Sequence, residues 1–267
     1  MIHSESITEQ GTGVFQGELW GTRAAAWAEH EEQYRPLYGE AIRRLGIGRG
    51  TTVLDVGCGS GVFLHVAASA GARVSGLDAA APMVEIARSR VPEADVRIGD
   101  LQFLPYDPDV FDVVTSFSSF WFAADPVEAL RAAGRVAKPG APVFALVFGR
   151  PERCGVSPLM EALAAFFPSE DAPRGKFGLH EPGVLEGMAT EAGLVPETAG
   201  DLVSGLAFAD DEALVRQFLS PGSVVLAARA AGEAPVREAI LASMAPFRTP
   251  AGGYRLENEW RYLIATA

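Results

Sequence analysis

Basic residues are scarce in this 267-residue chain: 22 Lys and Arg stand against 34 Asp and Glu, a formal net charge of −12, and no basic run occurs. That balance argues against a nucleic-acid partner, because phosphate backbones are held by clustered Lys and Arg. The acid excess reads instead as a solvated surface. Cysteine is nearly missing. Cys58 and Cys154 have no Cys-x-x-Cys spacing and suggest neither a metal site nor a disulfide framework, as befits a reducing cytoplasm. The uncharged stretch Val113–Ala124 has 12 residues, short of the ~20 needed to cross a bilayer. The opening Met1-Ile-His-Ser-Glu-Ser has neither the basic nor the apolar region of a secretory signal. The expectation is a cytoplasmic protein without a membrane partner. No repeat or low-complexity tract is present, and the length and 48% apolar content suit one α/β domain.

What is present concentrates at Thr52-Val-Leu-Asp-Val-Gly-Cys-Gly-Ser-Gly61. An apolar strand ends at Asp55, breaks into glycines at 57, 59 and 61, and enters a helical pattern. Residues without Cβ let a backbone approach a ligand closely, and the helix start aims free N–H groups at it. The spacing excludes two ligand types. A dinucleotide fingerprint counted from Gly57 would need its third glycine at Val62, and a Walker loop would need a Lys that is not there. A second strand, Gly71-Ala-Arg-Val-Ser-Gly-Leu-Asp78, ends on an acid 21 residues after Gly57. That is close to the ~20-residue offset at which a carboxylate meets ribose hydroxyls in doubly wound folds. Asp78 could equally be a helix-start acid. Val96-Arg-Ile-Gly-Asp100 is a third strand, Phe111–Phe117 a fourth and Pro142–Gly149 a fifth, with a capped helix from Asp125 between the last two.

Asp55-x-Gly-x-Gly-x-Gly61 and the acids that follow resemble the motifs of the class I S-adenosylmethionine (SAM)-dependent methyltransferases. The order is similar to the small-molecule enzymes of the ubiquinone/menaquinone type, often labelled methyltransferase type 11. The match spans about residues 50 to 150, with a looser likeness at Gly252–Tyr262. The resemblance implies a doubly wound, Rossmann-like α/β fold with a seven-stranded sheet, mostly parallel with the last strand antiparallel, and helical cap insertions. It implies SAM as cofactor, held by Asp55, Gly57, Cys58, Gly59, Gly61, Asp78, Ala79, Met83, Asp100, Leu101 and Phe117. Asp100 would meet the adenine amino group. The sulfonium and the substrate would meet near Phe117, Ser118 and Phe120.

Outside this core lie an N-terminal helical lid (residues 1–49) and substrate-cap insertions at 150–181 and 204–253; the whole, 1–267, reads as a single domain around the 50–150 cofactor core. A helix is expected from Thr22 to Leu45, with Trp27, Tyr34 and Tyr38 on one stripe; it either packs on the sheet or covers the cofactor. Further helices are expected at Pro158–Phe167, Asp210–Leu219 and Pro235–Met244. The sixth strand is expected near Leu194–Val203, and the last at Tyr254–Ala265, with alternating apolar residues.

Trp20, Tyr34, Phe120 and Trp121 are candidate substrate-pocket residues, with Phe122, Phe166 and Phe167 as further apolar side chains. Among four histidines, His30 lies between Glu29 and Glu31-Glu32 and reads as a solvated face, and His65 as structural. His180, in an insertion expected near the pocket, is the candidate base or substrate ligand, or else a cap or packing residue; the resemblance carries no catalytic role onto it. No metal is expected, since Asp125 near the fourth strand reads as an N-cap. Methyl transfer to a small, largely apolar or aromatic molecule follows, with a secondary metabolite as the acceptor that the resemblance suggests. The alternative is a SAM-binding catalyst that does not methylate, such as a cyclase, or a SAM-binding regulator.

Overall fold

Apolar runs in which both faces are covered form the centre of the molecule, as parallel sheets require. The computed structural model describes residues 11–166 and 178–267. Strands β1 (Thr52–Val56), β2 (Arg73–Asp78), β3 (Asp95–Ile98), β4 (Val113–Phe117) and β5 (Pro142–Phe148) are followed by two long strands, β6 (Val195–Phe208) and β7 (Tyr254–Thr266). They form one sheet in the order β3-β2-β1-β4-β5-β7-β6. The first five run parallel, and β7 is antiparallel to both β5 and β6. The expected sheet is therefore present.

The period of two along each strand divides the core into two layers. In β5, Phe144 and Leu146 face one side, whereas Val143, Ala145 and Val147 face the other. The first side is covered by α3 (Arg35–Leu45), α4 (Val62–Ser69) and α5 (Ala81–Arg90) through Leu37, Tyr38, Phe63, Leu64 and Val84. The second is covered by α6 (Pro126–Val136) and α8 (Val184–Glu191) through Leu130, Ala133, Leu185 and Ala189. Asp125 caps α6 by accepting from the backbone of Val127 and Glu128.

Three expectations are corrected. The helix placed over Thr22–Leu45 is α2 (Ala24–Glu31), a 3-10 turn at Glu32–Tyr34, and α3, with α1 (Gly13–Gly21) before them. Pro36 explains the break, because its ring clashes with the carbonyl four residues back and it donates no N–H. Strand β6 runs five residues past Val203, held by its ladder to β7 as far as Phe208↔Tyr254. The helix expected at Pro158–Phe167 is α7 (Ser157–Ala164), and the 204–253 segment holds α9 (Asp211–Phe218), α10 (Gly222–Ala231) and α11 (Glu233–Met244).

Candidate functional site

The strand order reverses between β1 and β4, and ligands in such sheets bind where the carboxyl ends of the strands diverge. Here β1 opens into the glycine loop. The N–H groups of Gly57 and Cys58 both donate to the Leu77 carbonyl, at 2.7 and 2.9 Å, fixing the loop to the end of β2. Gly57 has φ +80°, and a Cβ built there would lie 2.3 Å from the Ser119 Cβ, so only glycine lets the ends of β1 and β4 approach this closely. Ser118 itself adopts φ +63°, an uncommon conformation for a residue with a side chain.

Asp78 joins the two loops. One oxygen accepts from the Gly59 N–H at 2.9 Å and the other from the Ala80 N–H at 2.8 Å. Burial pushes its carboxyl up from the ordinary range, and those N–H donors partly oppose the shift. Asp100, at the end of β3, accepts from the Gly13 N–H at 2.6 Å and the Gln102 N–H at 2.8 Å.

The amino-terminal helices roof this floor. Thr12 donates its hydroxyl to the Phe122 carbonyl. In α1, Gly17 lies over the Ala79 carbonyl, where an added Cβ would come within 2.3 Å. From α2, buried Glu31 reaches the glycine loop and accepts from the Ser60 N–H at 2.9 Å and the Ser60 hydroxyl at 2.6 Å, while Tyr38 donates to it at 3.3 Å. Burial raises the Glu31 carboxyl as well. Arg90 donates to the Ser60 carbonyl and hydroxyl and pairs with Glu32, which closes the junction from the α5 side.

Between roof and floor lies one cavity. From α1, the glycine loop, the ends of β2 and β3 and α5 it is lined by Thr12, Gly13, Gln16, Gly57, Gly59, Asp78, Ala79, Met83, Asp100 and Leu101, and from α2, α7, α9, α10 and β7 by Trp27, His30, Leu159, Met160, Phe218, Val224 and Trp260. Phe117, Trp20, Tyr34, Trp121, Phe122 and Phe148 also border it. Its ionisable carboxylates are Asp78 and Asp100, and none of the described residues lining it is Lys or Arg.

Most of the candidate residues thus surround one space, but several do not. Asp55 is buried beneath the loop and accepts from the Thr115 hydroxyl at 2.8 Å. The Cys58 thiol points into the core; a Cβ on Gly76 would come within 2.9 Å of its sulfur, and burial keeps the thiol protonated. Gly61 is the left-handed residue that starts α4. These three shape the loop and do not line the cavity. Phe120 starts the 3-10 turn Phe120–Phe122 and turns into the second core layer. His180 ends a 3-10 turn, Gly178–His180, whose Leu179 packs on that same second layer, and it does not line the cavity; its Nδ1 is buried without a partner. Phe166 packs against the first layer. Phe167 and His3 lie outside the described residues.

The residue that the sequence reading missed is His30. It is 2% exposed and borders the cavity instead of facing solvent. Trp27 stacks on it at 5.2 Å, and Phe208 and Phe218 lie against it at 6.2 and 5.8 Å. Its Nε2 is 3.0 Å from the Tyr34 hydroxyl. The signal was available in the 3 and 4 spacing of Trp27, His30 and Tyr34, which puts the histidine on the aromatic stripe; its acidic neighbours outweighed that signal. Among the described residues no group of three or more His, Cys, Asp or Glu side chains could hold a metal ion, and no helix is long and apolar enough to cross a membrane.

The family described as a methyltransferase domain matches residues 54–145. The chain is 32% identical over 216 residues to a ubiquinone biosynthesis O-methyltransferase of Bordetella bronchiseptica, covering 73% of this chain and 87% of that one. Solved structures share the fold. A chain in the complex between the Haloferax volcanii Trm112 methyltransferase activator and a methyltransferase superposes with TM-score 0.60 at 22% identity, covering 93% of this chain and 96% of its own. The [4+2]-cyclase SpnF superposes with TM-score 0.55 at 20% identity, covering 87% and 80%.

Proposed function

The chain belongs to the class I SAM-dependent methyltransferases, with SAM as its cofactor, and from that premise we propose that it methylates a phenolic hydroxyl of an uncharged aromatic molecule bearing apolar substituents. The observation that carries this reading is the lining of the cavity: its carboxylates are Asp78 and Asp100, at the ends of β2 and β3, and the side chains from α2, α7, α9, α10 and β7 are largely aromatic and aliphatic, without a Lys or Arg among the described residues. An acceptor carrying a carboxylate or phosphate would find no Lys or Arg among the described lining residues, and burying an unpaired charge is costly. The relatives' name, O-methyltransferase in ubiquinone biosynthesis, supports oxygen as the nucleophile and favours a quinone-type ring over the secondary metabolite that the resemblance first suggested.

The donor set fits the cofactor. Asp78 and Asp100 keep lone pairs that can accept from ribose hydroxyls and an adenine amino group, and none of the described lining residues is a Lys or Arg that a phosphate would call for. In this reading Gly57, Gly59, Ala79, Met83, Leu101 and Phe117 supply backbone and apolar walls around it, and residues 11–49 with 150–166 and the 204–253 insertion form the roof of a single domain. SAM brings an already activated methyl group, so the protein's own task is placement, worth up to ~7–11 kcal/mol when the geometry is right. Trp20, Tyr34 and Trp121 orient the acceptor ring, and the seated roof excludes water.

The test is a panel of neutral alkylated phenols and catechols beside carboxylated analogues, with S-adenosylhomocysteine and the methyl ether both quantified by mass spectrometry. O-methylation of the neutral members is expected. Preference for the carboxylated members would overturn the acceptor class, and cofactor binding without S-adenosylhomocysteine formation would point to non-methylating catalysis.

A further inference from the structure

Six buried side-chain nitrogen or oxygen atoms in the described residues have no hydrogen-bond partner, and two of them, His30 Nδ1 and Trp121 Nε1, belong to residues that border the cavity. Buried polar atoms are nearly always paired, and an unpaired one costs free energy, so each such atom needs a reason. An indole nitrogen can only donate. The imidazole is different, because each of its nitrogens can donate or accept according to the tautomer. Nε2 lies 3.0 Å from the Tyr34 hydroxyl, and burial holds that phenol protonated. Either group can donate in this pair; where Nε2–H donates to the Tyr34 oxygen, Nδ1 is left as a bare acceptor.

We propose that His30 Nδ1 receives the proton of the acceptor's hydroxyl, with Tyr34 holding the imidazole in the Nε2–H form. This rests on the phenolic reading above. As the oxygen–methyl bond forms and the sulfur–methyl bond breaks, the sulfonium sulfur keeps the electron pair and becomes a neutral thioether. The hydroxyl O–H bond breaks and its proton goes to Nδ1. The positive charge lost at sulfur thus reappears on the imidazole, and the ring returns its proton to water after the product leaves.

The surroundings suit a histidine that is neutral at rest. Trp27, Phe208 and Phe218 enclose the ring, and burial lowers its pKa to about 4. Among the described residues the charged groups nearest in sequence turn elsewhere: Glu31 on the same helix turns to Ser60, Glu29 pairs with Arg216 of α9, and β6 and α9 present Phe208 and Phe218. Tyr34 is the titratable group in contact with it, and β7 contributes Trp260, edge-on to Tyr34.

The experiment uses the full chain and His30→Phe, with His30→Asn as a second variant should the first unfold. Histidine-labelled protein is followed by ¹⁵N NMR with S-adenosylhomocysteine bound, before and after 4-hexylresorcinol is added; the signals absent from the variant identify His30. An unprotonated Nδ1 at neutral pH that shifts on addition of the phenol is expected. Calorimetry should give SAM affinity within about twofold of wild type. With a hydroxyl acceptor that turns over, the variant's kcat should fall ~10²–10⁴-fold at pH 7, and the deficit should narrow as the pH approaches the phenol's own pKa, near ~10. A proton on Nδ1, a signal unmoved by saturating phenol, or wild-type kcat in the variant would overturn the proposal. If no hydroxyl compound is methylated, the acceptor reading fails while the NMR arm still decides the state and contact of His30.

Discussion

Glu31 and Ser60 are joined twice, N–H to carboxylate at 2.9 Å and hydroxyl to carboxylate at 2.6 Å, across 29 residues of sequence. One residue belongs to the roof and the other to the glycine loop, so this pair fastens the two halves of the site together. Glu31→Ala leaves the Ser60 donors and the Tyr38 hydroxyl without their acceptor in a buried place, at a cost of about 1–3 kcal/mol. The expected outcome is a lower melting temperature and faster amide exchange in residues 13–45, with exchange in β1, β4 and β5 unchanged. Unaltered exchange in the roof would show that Glu31 does not hold it down.

Gly57→Ala tests the approach of the two strand ends. The new methyl would sit 2.3 Å from the Ser119 Cβ on a backbone at φ +80°, which combines a clash with left-handed strain. Loss of SAM binding, measured by calorimetry, is expected together with clear destabilisation. At Gly59 an added carbon would instead meet the Glu31 carboxylate, at 3.0 Å.

Asp78→Asn probes the acid that bridges the first two loops. The amide presents a donor to one of the backbone N–H groups of Gly59 and Ala80 that the carboxylate accepts, and it loses the charge-assisted bonds proposed to the ribose. SAM affinity should fall by roughly 2–3 kcal/mol, or ~30–150-fold. A folded variant with unchanged affinity in calorimetry would remove Asp78 from the cofactor site.

His30 makes a stability prediction that needs no substrate. Its folded pKa, about 4, lies below the ~6.5 of an unfolded chain, so the unfolded state takes up the proton first. Stability should fall as pH drops from ~6.5 to ~4 and this contribution should flatten below that, by about 3 kcal/mol in total. The buried carboxyls of Asp55, Asp78 and Glu31, which burial raises, act with the opposite sign on acidification. The quantity to read is therefore the difference between wild type and His30→Phe in urea unfolding across pH 4–7. A difference that does not change with pH would mean that the ring is not buried as a neutral group.

The sheet and the floor of the site were legible because each strand carries its own punctuation: Asp55, Asp78 and Asp100 end or follow apolar runs, and glycines mark the one place where two strand ends meet. The roof was harder to read. In α1, Gly13, Gly17 and Gly21 are poor helix formers, yet Gly17 is what lets the helix rest on the Ala79 carbonyl, a contact between residues 62 positions apart. Local propensity gives no hint of it. His30 was obscured for a related reason: Glu31 looks solvent-facing in a charged stretch until Ser60 is brought up to it. His180 seemed near the pocket because insertions after strand ends commonly overlie the site, but its turn packs on the opposite core layer.

A single stretch, Thr12 to Tyr38, lines the cavity from Gly13, bonded to Asp100, to His30 beside Trp27. On the proposed reading, spent cofactor and methylated product both lie beneath these helices, and unseating them is expected to couple the two departures and to act as a brake on turnover. A rapid first turnover followed by a slower steady rate, with the steady rate falling as viscogen is added, is the kinetic signature of such a common exit.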